Sequence, residues 1–127
     1  MMLVYIAIGG ALGAVARYGL GGWVHERAGH GFPWGTLAVN LLGSLLIGFM
    51  LRYLEAARFA PEVRALVAVG LIGAFTTFST FSYETVALLE DGEWLRAALY
   101  VAGSVILGLA AVYAGLLAAG YVLHARG

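Results

Sequence analysis

The sequence predicts an all-α membrane protein with four transmembrane helices per subunit and a broken third helix. Hydrophobic residues make up 62% of the 127 residues and charged residues only 11%, whereas soluble domains carry about 25% charged residues. The charges separate four apolar runs, each near the roughly 20 residues that a helix needs to cross the hydrocarbon core. We therefore expect a single transmembrane domain over residues 1–127, with spans at about 2–24, 33–52, 65–84 and 96–123.

Each predicted span is bounded by charged or turn-forming residues. The first run is interrupted by Arg17 and ends at the polar segment 25–31, and the second run is free of formal charge. A polar link at 52–64 precedes the third run, which stops at Glu84. The fourth run is long enough to cross the membrane with some tilt. Four spans place both termini on one side.

The arginines orient these spans only weakly. The face that bears the termini carries four arginines, at 52, 58, 64 and 126. The opposite face carries Arg27 and Arg96, and Arg17 lies slightly inside the membrane near that face. Four against two or three is a small positive-inside bias. Two alternatives stay open: the termini are cytoplasmic, or copies insert both ways and pair antiparallel.

Composition also excludes several functions. Lysine is absent and the net charge is zero, so nothing indicates a nucleic-acid partner. Cysteine is absent, and the histidines at 25, 30 and 124 are too scattered to predict a metal cluster. No Asp, Glu, Lys or His lies in the middle of a span, which disfavours a proton relay or a carboxylate cation site. No hydrolase motif is present, and we expect no enzyme.

The third run contains a segment that is unusual for a membrane helix. All eight side chains from Thr76 to Tyr83 are hydroxylic or aromatic, and none is a strong helix former. Irregular backbone at membrane depth is tolerated only where it is buried in protein or lines a polar path. If the helix unwinds between Gly73 and Thr77, freed carbonyls are available to a cation such as sodium. The alternative is a kinked but dry helix.

Aromatic rings alternate with hydroxyls in this segment. Phe78 and Phe81 lie three residues apart and share a helix face, with Thr77 and Thr80 beside them. The positive edge of an aromatic ring, placed among hydroxyl donors, makes a site for a small anion that can bind and still leave. The alternative for each ring is contact with lipid or with the core.

Two further polar lines follow the second and fourth spans. Thr36, Asn40 and Ser44 recur every four residues, and Tyr100 and Ser104 repeat the same spacing, which places each set on one helix face. An unpaired amide is costly in hydrocarbon. Asn40 therefore either makes an interhelical hydrogen bond or lines a pathway. The line of Tyr100 and Ser104 either lines a pathway or contains a serine that only bonds to its own backbone four residues back.

Three motifs resemble, in order and spacing, those of the Fluc/CrcB fluoride channels. They are GGALGAVARY at 9–18, GTLAVNLLGS at 35–44 and GLIGAFTTFSTFSYE at 70–84. The third motif is specific, whereas the first would be weak alone. The resemblance implies a fluoride-selective channel that exports toxic fluoride passively across the cell membrane of a bacterium or archaeon. It also implies an antiparallel, dual-topology homodimer with two pores.

The resemblance further implies roles for single residues. Phe78 and Phe81 match the paired phenylalanines whose edges contact fluoride, Asn40 matches the pore asparagine, and Arg17 matches an arginine near the aqueous vestibule. Tyr100 and Ser104 match a polar track on the fourth helix.

Gly73 and Thr76 match positions whose backbone carbonyls hold a structural sodium ion, Na+, that is not transported. Gly108 departs from the pattern, because many members have a serine there, and we do not include it in the pathway.

Two rival functions remain. A small multidrug-type exporter shares the length, the four spans and the dual topology, but it needs an intramembrane carboxylate that the first span lacks. A structural membrane subunit would use the polar residues only to lock helices together. Fluoride release from liposomes distinguishes these classes.

Overall fold

The computed structural model describes residues 1–127 and contains helices but no strands. Four helical stretches are long and apolar enough to cross a membrane, namely Met2–Ala28, Trp34–Ala56, Pro61–Glu90 and Trp94–Arg126. The predicted all-helical fold with four candidate spans is confirmed. The helices extend past the predicted spans because backbone hydrogen bonding continues into polar residues, whereas the apolar pattern marks only the part suited to hydrocarbon.

The first two helices form a hairpin with a short turn. Helix α1 (Met2–Ala28) ends at Gly29, whose φ of 97° turns the chain and whose N–H donates to the carbonyl of His25 at 3.2 Å. Glycine adopts this positive φ without the strain that a side chain would add. Helix α2 (Trp34–Ala56) then begins directly after the buried Pro33.

The third stretch changes its hydrogen-bonding pattern along its length. It begins as α3 (Pro61–Arg64), continues as the π-helical stretch Ala65–Ile72 and returns to α-helix in α4 (Gly73–Phe75). Thr76 and Thr77 are extended, with φ and ψ of −86° and 157° and of −147° and 116°.

Helix α5 (Phe78–Glu90) begins immediately afterwards, and the Thr77 hydroxyl caps it by accepting the Thr80 N–H at 3.3 Å. The two extended residues therefore separate α4 from α5. This short extended segment, Thr76 and Thr77, is called the interruption below.

Helix α6 (Trp94–Arg126) packs along α2, and α1 packs on the π-helical stretch. Both contacts bring backbones together at glycines. A Cβ atom at Gly48 would overlap the Val112 carbonyl oxygen, and one at Gly13 would overlap the Leu71 carbonyl oxygen. Small residues at such crossings let membrane helices pack closely. Gly9 and Gly13, four residues apart, therefore both lie where α1 packs closely on the π-helical stretch.

The core of the single chain is small. Only 18 of the 127 residues are buried, and none of the buried residues is charged. Many large apolar side chains point outward from all four helical stretches, including Leu3, Val69 and Leu109. An apolar exterior of this kind suits contact with lipid or with another membrane chain.

Candidate functional site

Asn40 holds the interruption in place. From the middle of α2, its Nδ2 donates to the Thr77 carbonyl at 3.0 Å, and its Oδ1 accepts the Thr77 N–H at 2.8 Å. One side chain therefore satisfies both polar groups of a residue that has left the helix. The Asn40 side chain takes the place of the helical partners that an extended backbone lacks.

The interruption also takes the usual helical donors from the carbonyls of Gly73 and Thr76. In a continuous helix the Thr77 N–H would donate to the carbonyl of Gly73, and the Thr80 N–H to that of Thr76. Here the Thr77 N–H donates to Asn40 and the Thr80 N–H donates to the Thr77 hydroxyl. The Thr76 hydroxyl offers the Gly73 carbonyl only a long bond of 3.5 Å. These are the two carbonyls that the family resemblance assigned to a structural sodium ion.

A cavity of about 340 Å³ opens beside the interruption, between α2, the third stretch and α6. We call it the central cavity. No charged side chain lines it, and its lining combines apolar side chains with hydroxyls, one amide and two aromatic rings: Asn40, Gly43, Ser44, Ile47, Ile72, Gly73, Thr76, Thr77, Phe78, Phe81, Ser104 and Val105. It brings together most of the residues that the sequence predicted for the anion pathway.

A second cavity of about 280 Å³ lies towards the end of α1, and its lining includes three ionisable side chains. We call it the vestibule. Arg17, Glu84 and His25 line it together with Thr77 and Thr80. The Nε of Arg17 donates to the Ala74 carbonyl at 3.3 Å, which fixes the guanidinium next to α4. Thr77 lines both cavities, so the residue bound by Asn40 separates them.

Phe78 and Phe81 are placed differently although they share a helix face. Their ring centroids are 5.8 Å apart and their planes are tilted by 45°. The Phe78 side chain is 79% exposed in the single chain. Phe81 is half-buried and packs against Tyr100, with ring centroids 5.0 Å apart.

The hydroxyls of Tyr100 and Ser104 are buried and have no hydrogen-bond partner. Tyr100 is fully buried, between the rings of Phe81 and Phe32. Ser104 lies one turn further along α6 and lines the central cavity. A hydroxyl that is buried without a partner is unfavourable, because it has given up its hydrogen bonds to water. Both hydroxyls are therefore free to donate a hydrogen bond, and Ser104 lines the central cavity, where a ligand would satisfy its hydroxyl.

Comparison with known proteins identifies the family. A family model described as CrcB-like protein, Camphor Resistance (CrcB), matches residues 4–116. This chain belongs to the CrcB family. The resemblance read from the sequence motifs is confirmed.

Curated relatives of this CrcB chain carry the name Fluoride-specific ion channel FluC. One from Thermus thermophilus is 54% identical over 110 residues, which cover 87% of each chain. One from Hahella chejuensis is 54% identical over 115 residues, or 90% of this chain and 91% of the relative. One from Geobacter sulfurreducens is 51% identical over 118 residues, or 92% and 95%. All three organisms are bacteria.

The CrcB chain also uses two polar residues that the sequence did not place in the site. The Thr36 hydroxyl, on α2, donates to the Glu84 carboxylate on α5, at the edge of the vestibule. Glu84 was expected only to end the third run. The four-residue spacing placed Thr36 on the same helix face as Asn40. Its partner Glu84 lies 48 residues away, and the bond between them depends on how α2 and α5 pack.

Ser44 is a further residue of this kind. It lines the central cavity, and a Cβ atom at Gly108 would lie 3.8 Å from its Oγ. The hydroxyl of Ser44 therefore lies next to the place on α6 where the sequence has a glycine. Its four-residue spacing from Asn40 was the signal that could have included it among the site residues.

Proposed function

We propose that this chain is a fluoride-selective ion channel. The name of its curated relatives supports this function, and it agrees with the expectation that the chain is no enzyme. The observation that carries the proposal is the pair of buried hydroxyls without partners, on Tyr100 and Ser104, beside the ring of Phe81. Hydroxyl donors and ring edges suit a small anion, and the absence of a charged group in the central cavity lets that anion leave.

The proposed pathway starts in the vestibule, where Arg17 raises the local concentration of anions. Fluoride then exchanges water for the hydroxyls of Thr77 and Thr80 and for the amide of Asn40. The bonds of Asn40 to Thr77 support a role in positioning these donors.

From there the ion passes the edges of Phe78 and Phe81 and leaves along Tyr100 and Ser104. The arrangement of Phe81 against Tyr100, with the Ser104 hydroxyl one turn further along α6, supports this order. Beyond the vestibule, where Glu84 and His25 lie with Arg17, no group named on this proposed route carries a formal charge.

We also propose a structural sodium ion at the carbonyls of Gly73 and Thr76. These carbonyls fit a hard cation, because carbonyl oxygen is a suitable ligand and both have lost their helical donors to the bonding at Asn40 and Thr77. Bound sodium would satisfy the two oxygens. It would not be transported and would hold the interruption in shape.

The proposed assembly is an antiparallel homodimer with dual topology and a broken third transmembrane helix in each copy. The exposure of Phe78 supports a partner, because this ring borders the central cavity on an open side of the single chain. The weak difference in arginine count between the two faces supports insertion in both orientations. A second, inverted copy would close the cavity.

We propose that the channel lies in the bacterial cell membrane and lets fluoride leave passively. The chain is a multi-pass membrane protein with four candidate spans. No Asp, Glu, Lys or His lines the central cavity, so no group there is suited to carry a coupled proton. Passive flow needs no such group.

Fluoride efflux from liposomes tests the function. Vesicles that contain purified protein should release fluoride with no proton gradient and should retain chloride. Folded protein that releases no fluoride would overturn the proposal.

Phe81→Ile tests the proposed pathway. It should lower fluoride efflux by at least about tenfold, equivalent to about 1.4 kcal/mol in the barrier, while the folded dimer persists. Phe59→Ile, in the exposed turn after α2, is the matched control. Unchanged efflux in Phe81→Ile would remove that ring from the pathway.

The sodium site has a separate test. Replacing sodium by a large organic cation should weaken the dimer or stop conduction, because the two carbonyls again lack a partner. A third sample, in potassium chloride at the same ionic strength, shows whether a change is specific to the loss of sodium or follows from general screening of charges by salt. Indifference of both dimer and conduction to the replacement would argue against a bound ion.

A further inference from the structure

The turn between α1 and α2 brings together two histidines that the sequence separates. His25 lies in the last turn of α1, and Gly29 reverses the chain after the helix. His30 is thereby folded back onto His25, and its Nδ1 lies 2.7 Å from the Nε2 of His25. Sequence spacing alone does not pair them, because a five-residue separation aligns with neither helix nor strand period.

The two rings present nitrogen atoms to each other in an accessible place. Their centroids are 4.4 Å apart, their planes make an angle of 66°, and both side chains are exposed. One of the facing nitrogens must carry a hydrogen for the pair to bond. A divalent metal ion can bind the lone pairs of both facing nitrogens once that hydrogen has moved to the other nitrogen of its own ring, so that both imidazoles stay neutral.

The surroundings of the pair favour a cation. A recess next to the two rings is also lined by the carboxyl-bearing residues Glu84 and Asp91. No group of three or more His, Cys, Asp or Glu side chains is arranged to enclose a metal ion. Two imidazoles would therefore bind the metal from one side, and water would fill the other positions.

We propose that His25 and His30 form an open binding site for a divalent first-row metal ion of the zinc class. Imidazole nitrogen is a suitable ligand for zinc, nickel and copper. Zinc–nitrogen bonds of about 2.0–2.1 Å in tetrahedral geometry require the two nitrogens to be about 3.3 Å apart, so the rings must separate by roughly 0.6 Å. Small rotations of two exposed rings provide this movement.

The loop that holds the pair is fixed on both sides. Gly29 donates back to the carbonyl of His25 at 3.2 Å, and Arg96 of α6 donates to the carbonyl of Gly31 at 3.1 Å. The Glu93 carboxylate lies 3.7 Å from the Arg96 Nε and offsets part of its charge. The pair is thus prearranged, which lowers the entropy lost on metal binding.

Calorimetric titration with zinc chloride tests the proposal on the full chain in detergent, purified without a polyhistidine tag. We expect saturable binding of one zinc ion per chain. His25→Ala and His30→Ala should each weaken it by at least about tenfold, and His124→Ala, at the far end of α6, should leave it unchanged. No zinc binding, or equal loss in the His124 variant, would overturn the proposal.

A second variant tests the geometry without removing a ligand. Gly29→Ala forces a side chain into φ 97°, so it should displace His30 and weaken zinc binding severalfold. Gly19→Ala is the matched control, since a Cβ atom there meets nothing within 4 Å. Normal binding in Gly29→Ala would show that the turn does not create the site. X-ray absorption should show two nitrogen ligands at about 2.0–2.1 Å, and none of these measurements depends on fluoride conduction.

Discussion

Two groups of polar residues in and beside the central cavity differ in how far their hydrogen bonds are satisfied. On the α2 side, the amide of Asn40 and the backbone of Thr77 satisfy each other with two bonds. On the α6 side, the hydroxyls of Tyr100 and Ser104 are buried and have no partner. The first group is thus suited to hold the backbone in shape, whereas the second is suited to receive a ligand.

This difference follows from what each helix faces. Asn40 faces an extended backbone, which needs a donor and an acceptor to replace its helical partners. Tyr100 instead packs between the rings of Phe32 and Phe81, and its hydroxyl makes no hydrogen bond within the fold. Removing a polar group should therefore destabilise the fold on the α2 side and leave it almost unchanged on the α6 side.

Asn40→Ala should have the largest effect on stability. It leaves the N–H and the carbonyl of Thr77 without partners, and each orphaned group costs about 1–3 kcal/mol, so we expect a loss of about 2–6 kcal/mol in the free energy of unfolding. Fluoride efflux should fall with it. Denaturation in mixed detergent, followed by circular dichroism, measures the loss.

Ser82→Ala is the matched control for this variant, because the Ser82 hydroxyl bonds only to the Phe78 carbonyl in its own helix at 3.0 Å. It should change the free energy of unfolding by less than about 0.5 kcal/mol. An Asn40→Ala protein as stable as the control would show that Asn40 does not hold the interruption.

Gly13→Ala disturbs a backbone contact that involves no polar side chain. Its effect on the free energy of unfolding is a reference for the effects of removing polar groups on α2 and α6. The added methyl group would overlap the Leu71 carbonyl, and overpacking costs about 1–3 kcal/mol. At the neighbouring Gly10 a Cβ atom meets nothing within 4 Å, and Gly10→Ala should be neutral. Equal melting temperatures for the two variants would contradict the close packing of α1 on the π-helical stretch.

Thr36→Val tests the bond to Glu84 at the edge of the vestibule. A hydrogen bond across membrane helices contributes about 0.6 kcal/mol on average and about 1.7 at most, so the expected destabilisation lies in that range. Thr85→Val is the matched control, because the Thr85 hydroxyl bonds to the Phe81 carbonyl of its own turn at 2.8 Å. The same denaturation measurement should rank Thr36→Val below Thr85→Val in stability, and the reverse order would contradict a stabilising bond between α2 and α5.

The sequence could predict the parts of this structure that depend on local pattern. The spacing of charges predicted the four candidate spans, and the run of hydroxylic and aromatic residues from Thr76 to Tyr83 marked the neighbourhood of the interruption. It did not show that only Thr76 and Thr77 are extended. Asn40 sets this limit, because its side chain hydrogen-bonds to the backbone of a single residue, Thr77, which lies 37 positions away in the sequence.

Pairings between distant or irregular segments could not be predicted for the same reason. The bond from Thr36 to Glu84 depends on the packing of α2 against α5, and the contact of His25 with His30 depends on the positive φ of Gly29. No helical or strand period carries this information. Side-chain spacing did identify Tyr100 and Ser104 as one line, but only packing shows that their hydroxyls lack partners.

Tyr100→Phe and Ser104→Ala should have the smallest effect on stability. Each substitution removes a buried hydroxyl that has no partner in the fold, so the free energy of unfolding should change by less than about 0.5 kcal/mol or increase slightly. Fluoride efflux should nevertheless fall in both variants, because a donor on the proposed route is lost. This combination separates a group that binds a ligand from one that holds helices together. A substitution that lowers stability by more than about 1 kcal/mol, the worth of a typical hydrogen bond, and leaves efflux unchanged would instead place that hydroxyl in the structural framework with Asn40.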